Sequence, residues 1–422
     1  MTIYDFESED TNLIKSKVDA FLPNYVTIPL TFKNEGEILV KEGDIVKEGD
    51  SLSKIGDTFV HSSLPGTVIQ IDDFEFADGS FEKGAKIKFS GSFNFTGKQK
   101  IECDWKNYDK NMLLYLFSEN GVFNTFGKVE SISSQIKNLN PKSNKIVFAR
   151  LFSEDPSRLS DGFLVKNYFE QVVTGVFIIA KALDASGIVF AFDKEFEISK
   201  DFFEKQSEIP FETIFVDSKA YPSGFKHDLV HQYKKQIKNP LFKNCGIYDF
   251  FVDCQTCLNV YNAVVLNQSV INQIVHFSGN CLKNASFLNV KIGITLKDVI
   301  NQCGGLKKLP SKIIINGNVT GLNISSIDLP LTQNVKSVFV ISKEEIPDQE
   351  EQNCIRCGKC HDICPISLYP ESLLKISLNE NLSEHEKLIK QSAVLCSECA
   401  LCNSICPARI NLCEHIQKIK KL

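Results

Sequence analysis

Eight of the fifteen cysteines stand near the C-terminus in two copies of one pattern. Cys354, Cys357, Cys360 and Cys364 read Cys-x-x-Cys-x-x-Cys-x-x-x-Cys and are closed by Pro365; Cys396, Cys399, Cys402 and Cys406 repeat the run and are closed by Pro407. Three thiolates, each two residues from the next, can wrap a short loop around one face of a cubane iron–sulfur cluster, and a fourth must come from elsewhere. The proline after the fourth cysteine breaks the local helix and turns the chain away. Structural zinc and a disulfide framework are the competing readings; zinc sites usually show pairs of cysteines rather than triplets followed by Cys-Pro. The spacing points to two 4Fe-4S clusters, whose chemistry is the movement of single electrons.

The same run occurs in bacterial-type ferredoxins, and in their two-cluster members the fourth cysteine of each run ligates the other cluster. That likeness implies one cluster on Cys354, Cys357, Cys360 and Cys406, and a second on Cys396, Cys399, Cys402 and Cys364. The exchange would staple the two halves together and bring the clusters within tunnelling reach. Arg356, Lys359 and Glu398 lie beside the ligands, where charge adjusts potential or docking. The remaining cysteines, Cys103, Cys245, Cys254, Cys257, Cys281, Cys303 and Cys413, are scattered, as suits a reducing cytosol.

The chain that must position these thiols has 422 residues, room for three or four domains. With 43% hydrophobic and 23% charged residues it has an ordinary globular balance. A net charge of −5 gives a nucleic-acid partner no electrostatic support. The opening MTIYDFESED lacks the basic and apolar regions of a signal peptide. The most apolar stretch, Gly175 to Phe192, is interrupted by Lys181 and Asp184, so a membrane link is expected only through a partner.

Composition and periodicity predict a multidomain α/β and α+β chain. Residues 1–25 read as an N-terminal extension. Over 26–95, short strands alternate with glycine turns, as in VKEGDIVKEGD, and resemble the barrel-sandwich fold of lipoyl and biotinyl carriers. The stretch GDTFVHSS has no lysine where a carrier holds its modified one, so the module is expected to be structural. Over 96–268, strands (Lys145 to Phe152, Gly187 to Phe192, Thr213 to Asp217) alternate with helices such as Tyr168 to Leu183, which predicts a parallel sheet. No Gly-x-Gly-x-x-Gly follows those strands. Residues 269–345 read as a small α+β domain with Thr295 capping a helix ahead of Asp298. A charged linker carrying Pro347 leads to the cluster domain, 350–422, in which Ser383 and Glu386 form a capping box. Cys254 and Cys257, and Cys413 on the last helix, are expected to be buried packing residues; His227 and His231 lack a third ligand partner and are expected to be surface or core groups.

The whole resembles the C subunits of the Rnf-type ion-translocating ferredoxin–NAD oxidoreductases. The likeness rests chiefly on CIRCGKCHDICP with SLYPESLL and on CSECALCNSICPARI, and also on VHFSGNCLKN and IINGNVTG. It implies a barrel-sandwich hybrid, a flavoprotein-like α/β domain, an SLBB-like β-grasp domain and a bacterial-type two-cluster ferredoxin domain. It further implies an electron-transfer subunit on the cytoplasmic face of the membrane, with integral-membrane partners and with ferredoxin or NADH as redox partner. FMN and NADH are family cofactors. Their loops fall at GVFNTFGK, SEDPSRLSD and YPSGFKHD, where Gly127, Glu154 and Asp155 are the surviving candidates and Phe225 replaces a glycine. Asn124, Thr125 and Phe126 crowd a backbone that glycine leaves open, so the alternative is a scaffold domain. A rival assignment is the iron–sulfur subunit of a soluble dehydrogenase or heterodisulfide-type reductase; a binding module with purely structural clusters is a second.

Overall fold

The computed structural model describes residues 18–91, 103–127, 129–139, 145–198, 201–204, 208–236, 239–345, 350–379 and 381–421. The opening MTIYDFESED and Pro347 lie outside these residues.

The first module pairs two small sheets. One runs in the order Tyr25–Pro29, Phe81–Phe89, Gly66–Glu75, Ile45–Val46, and the other in the order Glu37–Ile38, Ser51–Ile55, Thr58–His61. Alternate residues of these strands face inward, and Val26, Ile28, Leu52, Val68, Ala85 and Ile87 make the core. The two Gly-Asp turns of VKEGDIVKEGD carry Gly43 and Gly49 at φ of 91° and 86°, a region costly for side-chain-bearing residues. At the Gly56–Asp57 tip, the Asp57 carboxylate accepts the hydroxyls of Ser131 and Ser134, both at 2.9 Å, and pairs with Lys137 at 2.6 Å. A hairpin tip held to the neighbouring helix in this way cannot swing.

The second module is a four-stranded parallel sheet in the order Phe211–Val216, Gly187–Asp193, Ile146–Leu151, Phe250–Asp253. Its strands are apolar on both faces because helices cover both. The helices Phe169–Leu183 and Cys254–Val264 share one core, while Leu229 and Tyr233 of Lys226–Gln236 pack with Phe148 in another. A Cβ on Gly175 would stand 2.0 Å from the Cys257 carbonyl oxygen, so these two helices approach where only glycine fits. Cys254 and Cys257 are fully buried, and burial pushes both thiols up. The helix expected to begin at Tyr168 starts at Phe169, after a sharp turn of 98° from Ser160–Asn167. Among the described residues no single helix is long and apolar enough to cross a membrane.

The third module is a six-stranded sheet in the order Val18–Asp19, Ser286–Lys291, Asn272–Ser278, Ser337–Ile341, Lys312–Ile315, Leu322–Ile324. Thr295 caps the helix Leu296–Gln302 by accepting the Asp298 amide at 3.2 Å. The strand Val18–Asp19 comes from the expected N-terminal extension. It joins this sheet by pairing parallel to Leu288 and Asn289, which satisfies an otherwise open edge.

The last module is built of short helices: Lys359–Asp362, Pro370–Ser377, Glu384–Ser392, Leu401–Ile405 and Leu412–Lys421. Ser383 and Glu386 form the capping box at the start of the third. The module folds as a repeat. Every cysteine of the second run lies 42 positions after its counterpart (Cys396 after Cys354), and the helix after each run repeats at the same offset, Leu412 after Pro370.

Candidate metal centre

Each cysteine run is a loop followed by a one-turn helix, and the loop conformation is set by residues in the left-handed region. Arg356 and Glu398, Gly358 and Ala400, and Ser367 and Arg409 occupy matching places in the two halves, with φ between 53° and 79°. Such residues turn successive backbone N–H groups toward one side, a concavity suited to a negative group. Two of these amides already point at sulfur. Glu398 donates to Cys396 Sγ at 3.4 Å, and Leu368 donates to Cys364 Sγ at 3.3 Å.

The thiols gather around two small cavities. The first is lined by Cys354, Cys357, Cys360 and Cys406, with Pro407, Ile410 and Leu412 among its apolar walls. The second is lined by Cys396, Cys399, Cys402 and Cys364, walled by Pro365, Leu368 and Ile416. Each cavity therefore brings together three cysteines of one run and the fourth of the other. A donor set of four sulfurs around an apolar space fits a 4Fe-4S cubane. All fifteen cysteines are unbridged. Among the described residues, no group of three or more Cys, His, Asp or Glu is placed to hold a single metal ion.

The two sites differ in their surroundings. Cys354 and Cys357 of the first are exposed, and Ile355 between them is 68% exposed. Cys399 of the second is buried against Tyr221, whose hydroxyl donates to the Cys399 carbonyl at 2.6 Å; Phe225 and Leu401 complete that contact. Burial pushes the Cys360 thiol up to about 12, with the Glu371 carboxyl, 3.3 Å from Cys360 Sγ, adding to it. Burial does the same to Cys399, also up to about 12, and raises Cys396 and Cys402. Such thiols are protonated at neutral pH, so iron must displace their protons, and cluster binding is coupled to proton release. Glu398 is ion-paired with Lys420 at 2.6 Å, and Lys420 also donates to the Cys396 carbonyl at 2.6 Å. This pair ties the last helix to the second loop.

Cys413 was expected to be a packing residue of the last helix. It is buried, but it lines the second cavity beside the four paired cysteines. The sequence carried a signal for this: Cys413 lies 42 positions after Glu371, which lines the first cavity.

The candidate nucleotide residues are not gathered into a cradle. Gly127 is exposed, and a Cβ there would meet no protein atom within 4 Å. Glu154 is ion-paired with the fully buried Arg150. Asp155 is fully buried. Its carboxylate accepts the amides of Ser157 at 3.0 Å, Val319 at 2.9 Å and Thr320 at 3.2 Å, so it fastens the third module to the second. Arg150 also donates to the Gly224 carbonyl at 3.0 Å, and a Cβ on Gly224 would lie 2.9 Å from Glu154 Cα. Phe126 lies under the Arg150 guanidinium, 4.4 Å from it. The loops that would straddle a nucleotide are thus packed on one another. Arg150 Nε and Nη2 keep no protein partner, so donors remain, but Glu154, Asp155 and Gly224 are taken up by contacts within the protein. Of the three candidates, Glu154 and Asp155 are committed to contacts within the protein and Gly127 faces open space. His227 and His231 lie on the helix Lys226–Gln236, with His231 exposed.

The family model described as a 4Fe-4S dicluster domain matches residues 350–410. The resemblance drawn from the sequence is borne out over most of the chain. The C subunit of the proton-translocating ferredoxin:NAD(+) oxidoreductase complex of Clostridium ljungdahlii is 27% identical over 359 residues, 83% of this chain and 77% of that protein. The C subunit of the Na(+)-translocating complex of Acetobacterium woodii is 22% identical over 84% of this chain and 82% of its own length. The C subunit of the ion-translocating oxidoreductase complex of Buchnera aphidicola is 26% identical over 89% of this chain and 76% of that one. Among solved structures, a chain of an NAD+-reducing [NiFe]-hydrogenase is similar with a TM-score of 0.46 at 12% identity, covering 76% of this chain and 55% of that chain, a likeness too loose to speak of function.

Proposed function

We propose that this chain is the C subunit of an Rnf-type ion-translocating ferredoxin:NAD+ oxidoreductase and serves it as a two-cluster electron relay. The observation that carries this reading is the pair of thiol-lined cavities, each drawing its fourth cysteine from the other run, in a chain aligned with its Rnf-type relatives over more than four-fifths of its length. The four modules are read as a barrel-sandwich hybrid, a flavoprotein-like α/β domain, an SLBB-like β-grasp domain and a twin-cluster ferredoxin domain.

Cys354, Cys357, Cys360 and Cys406 would hold one cluster, and Cys396, Cys399, Cys402 and Cys364 the other. When bound, each cluster takes up and releases one electron. The protein contributes the thiolates, the inward-turned amides near Cys396 and Cys364, and apolar walls around each cavity. Apolar side chains stand exposed beside the first cysteine of each run, Ile355 at 68% after Cys354 and Val394 and Leu395 at 74% and 47% before Cys396. These two faces give the relay separate docking places for the neighbouring subunits and for a ferredoxin-type donor. The complex would hold this protein peripherally on the cytoplasmic face of the membrane. Because the α/β loops are packed shut, electrons reach the clusters from a protein partner, not from a nicotinamide held by this chain.

The test is anaerobic reduction of the isolated protein. A low-potential reduced ferredoxin is expected to bleach the clusters, the preparation is expected to carry no flavin, and NADH alone is expected to leave the clusters oxidised. Stoichiometric FMN, or rapid bleaching by NADH, would contradict the scaffold role of the α/β domain. Failure of reduced ferredoxin would contradict the relay.

A further inference from the structure

The repeat that relates the two halves of the last module also relates two residues outside the eight. Glu371, near the start of the helix Pro370–Ser377, and Cys413, near the start of Leu412–Lys421, are counterparts 42 positions apart. In the first half this position touches the third cysteine of its run: Cys360 Sγ lies 3.3 Å from Glu371 Oε2. In the second half the matching residue is itself a thiol, and it lines the cluster cavity. Cys413 is 7% exposed and lines one cavity with Cys364, Cys396, Cys399 and Cys402. A single amide ties it to the third cysteine of that run: Asn403 Oδ1 accepts the Cys413 N–H at 2.9 Å and lies 3.7 Å from Cys402 Sγ.

We propose that Cys413 is a fifth thiol of the second cluster site, a reserve ligand for the iron that Cys402 holds. The proposal rests on the cluster assignment above. In the exchange, the iron–sulfur bond to Cys402 breaks, a bond from the same iron to Cys413 forms, and the proton of the Cys413 thiol passes to the Cys402 sulfur. No electron is gained or lost, and the charge of the site is unchanged. The first site has no such reserve, because a carboxylate occupies the matching position. The two clusters therefore differ in how they survive loss of the third cysteine of the run: the second retains four thiolates, the first does not.

The test is iron and sulfide content together with the EPR spectrum of the dithionite-reduced full chain, purified anaerobically. The wild-type chain is expected to carry about eight irons. Cys402→Ala is expected to keep about eight, Cys402→Ala with Cys413→Ala to fall to about four, and Cys360→Ala to fall to about four, each four being one cluster lost. The cluster that remains reports folding within the same molecule. Cys402→Ser, closer in size to the native side chain, is the second variant, and its iron content is expected to depend on Cys413 in the same way. Loss of the second cluster from both single variants at position 402, or equal iron with and without Cys413, overturns the proposal. A wild-type chain with about four irons or fewer would instead overturn the cluster assignment beneath it.

Discussion

Cys406→Ala, a change in the second cysteine run, is expected to remove the cluster of the first run. Cys406 lines the cavity of Cys354, Cys357 and Cys360, not that of Cys396, Cys399 and Cys402. The expected iron content falls from about eight to about four per chain. The decisive comparison is between double variants. Cys406→Ala with Cys354→Ala strikes one site twice, so it should keep about four irons, like either single change. Cys406→Ala with Cys396→Ala strikes both sites and should leave almost none. If each run instead held its own cluster, the two doubles would exchange behaviour. The effect is large because a cubane with one corner unprotected hydrolyses, and here the buried Cys360 thiol, pushed up by burial, would regain its proton.

The second large effect lies away from the clusters. Lys336, on the third module, forms an ion pair with Asp253 at the C-terminal end of the parallel sheet, and both side chains are buried. Asp253 also accepts the Thr125 hydroxyl at 3.0 Å and the Thr256 amide at 2.9 Å, while Lys336 donates to the Thr125 carbonyl at 2.8 Å. Burial by itself would raise the Asp253 carboxyl; Lys336 and Arg150 outweigh it and hold the group well below the usual carboxylate range. Replacing only the lysine leaves a buried charge without its partner, a change that costs about 3–5 kcal/mol. Lys336→Met is therefore expected to lower the unfolding free energy measured in denaturant by that amount, and Lys336→Met with Asp253→Asn to recover part of it.

The pH dependence should change sign as well. In the wild-type chain the folded Asp253 carboxyl is depressed, so its stabilisation is present above the unfolded value of about 3.9 and is lost as pH falls through the lower folded value. In Lys336→Met the dominant influence is burial, which raises the carboxyl, so the folded state binds the proton more tightly than the unfolded one. The variant should then gain stability as pH falls from 8 toward 5, where the wild-type contribution of Asp253 is flat. A variant whose midpoint matches the wild type at every pH would show that the pair does not hold the two modules together.

What could be read from the sequence and what could not divide along range. The two cysteine runs are local patterns, so their chemistry was legible from spacing alone, as were the capping box of Ser383 and Glu386 and the cap at Thr295. Burial of Cys254 and Cys257 followed from the apolar stretch around them. Asp155 was not legible: its partners Val319 and Thr320 lie more than a hundred and fifty residues away, so nothing nearby distinguishes a carboxylate that ties modules together from one that waits for a ligand. The same holds for Lys336 and Asp253, single charges whose meaning depends on a domain contact. The strand Val18–Asp19 exists because a sheet edge some 270 positions later is there to receive it (Val18 on Leu288). Cys413 is different. Its position relative to Glu371 was available from the repeat, and what hid it was the assumption that four thiolates complete a site.

Two cubane clusters in the last module are the premise of the relay, and their direct test is iron, acid-labile sulfide and EPR on the anaerobically purified full chain. About eight irons and about eight sulfides per chain are expected, and on full reduction a broadened EPR signal from two neighbouring spins. About four irons or fewer, zinc in their place, or two reduced clusters with no magnetic interaction would contradict it.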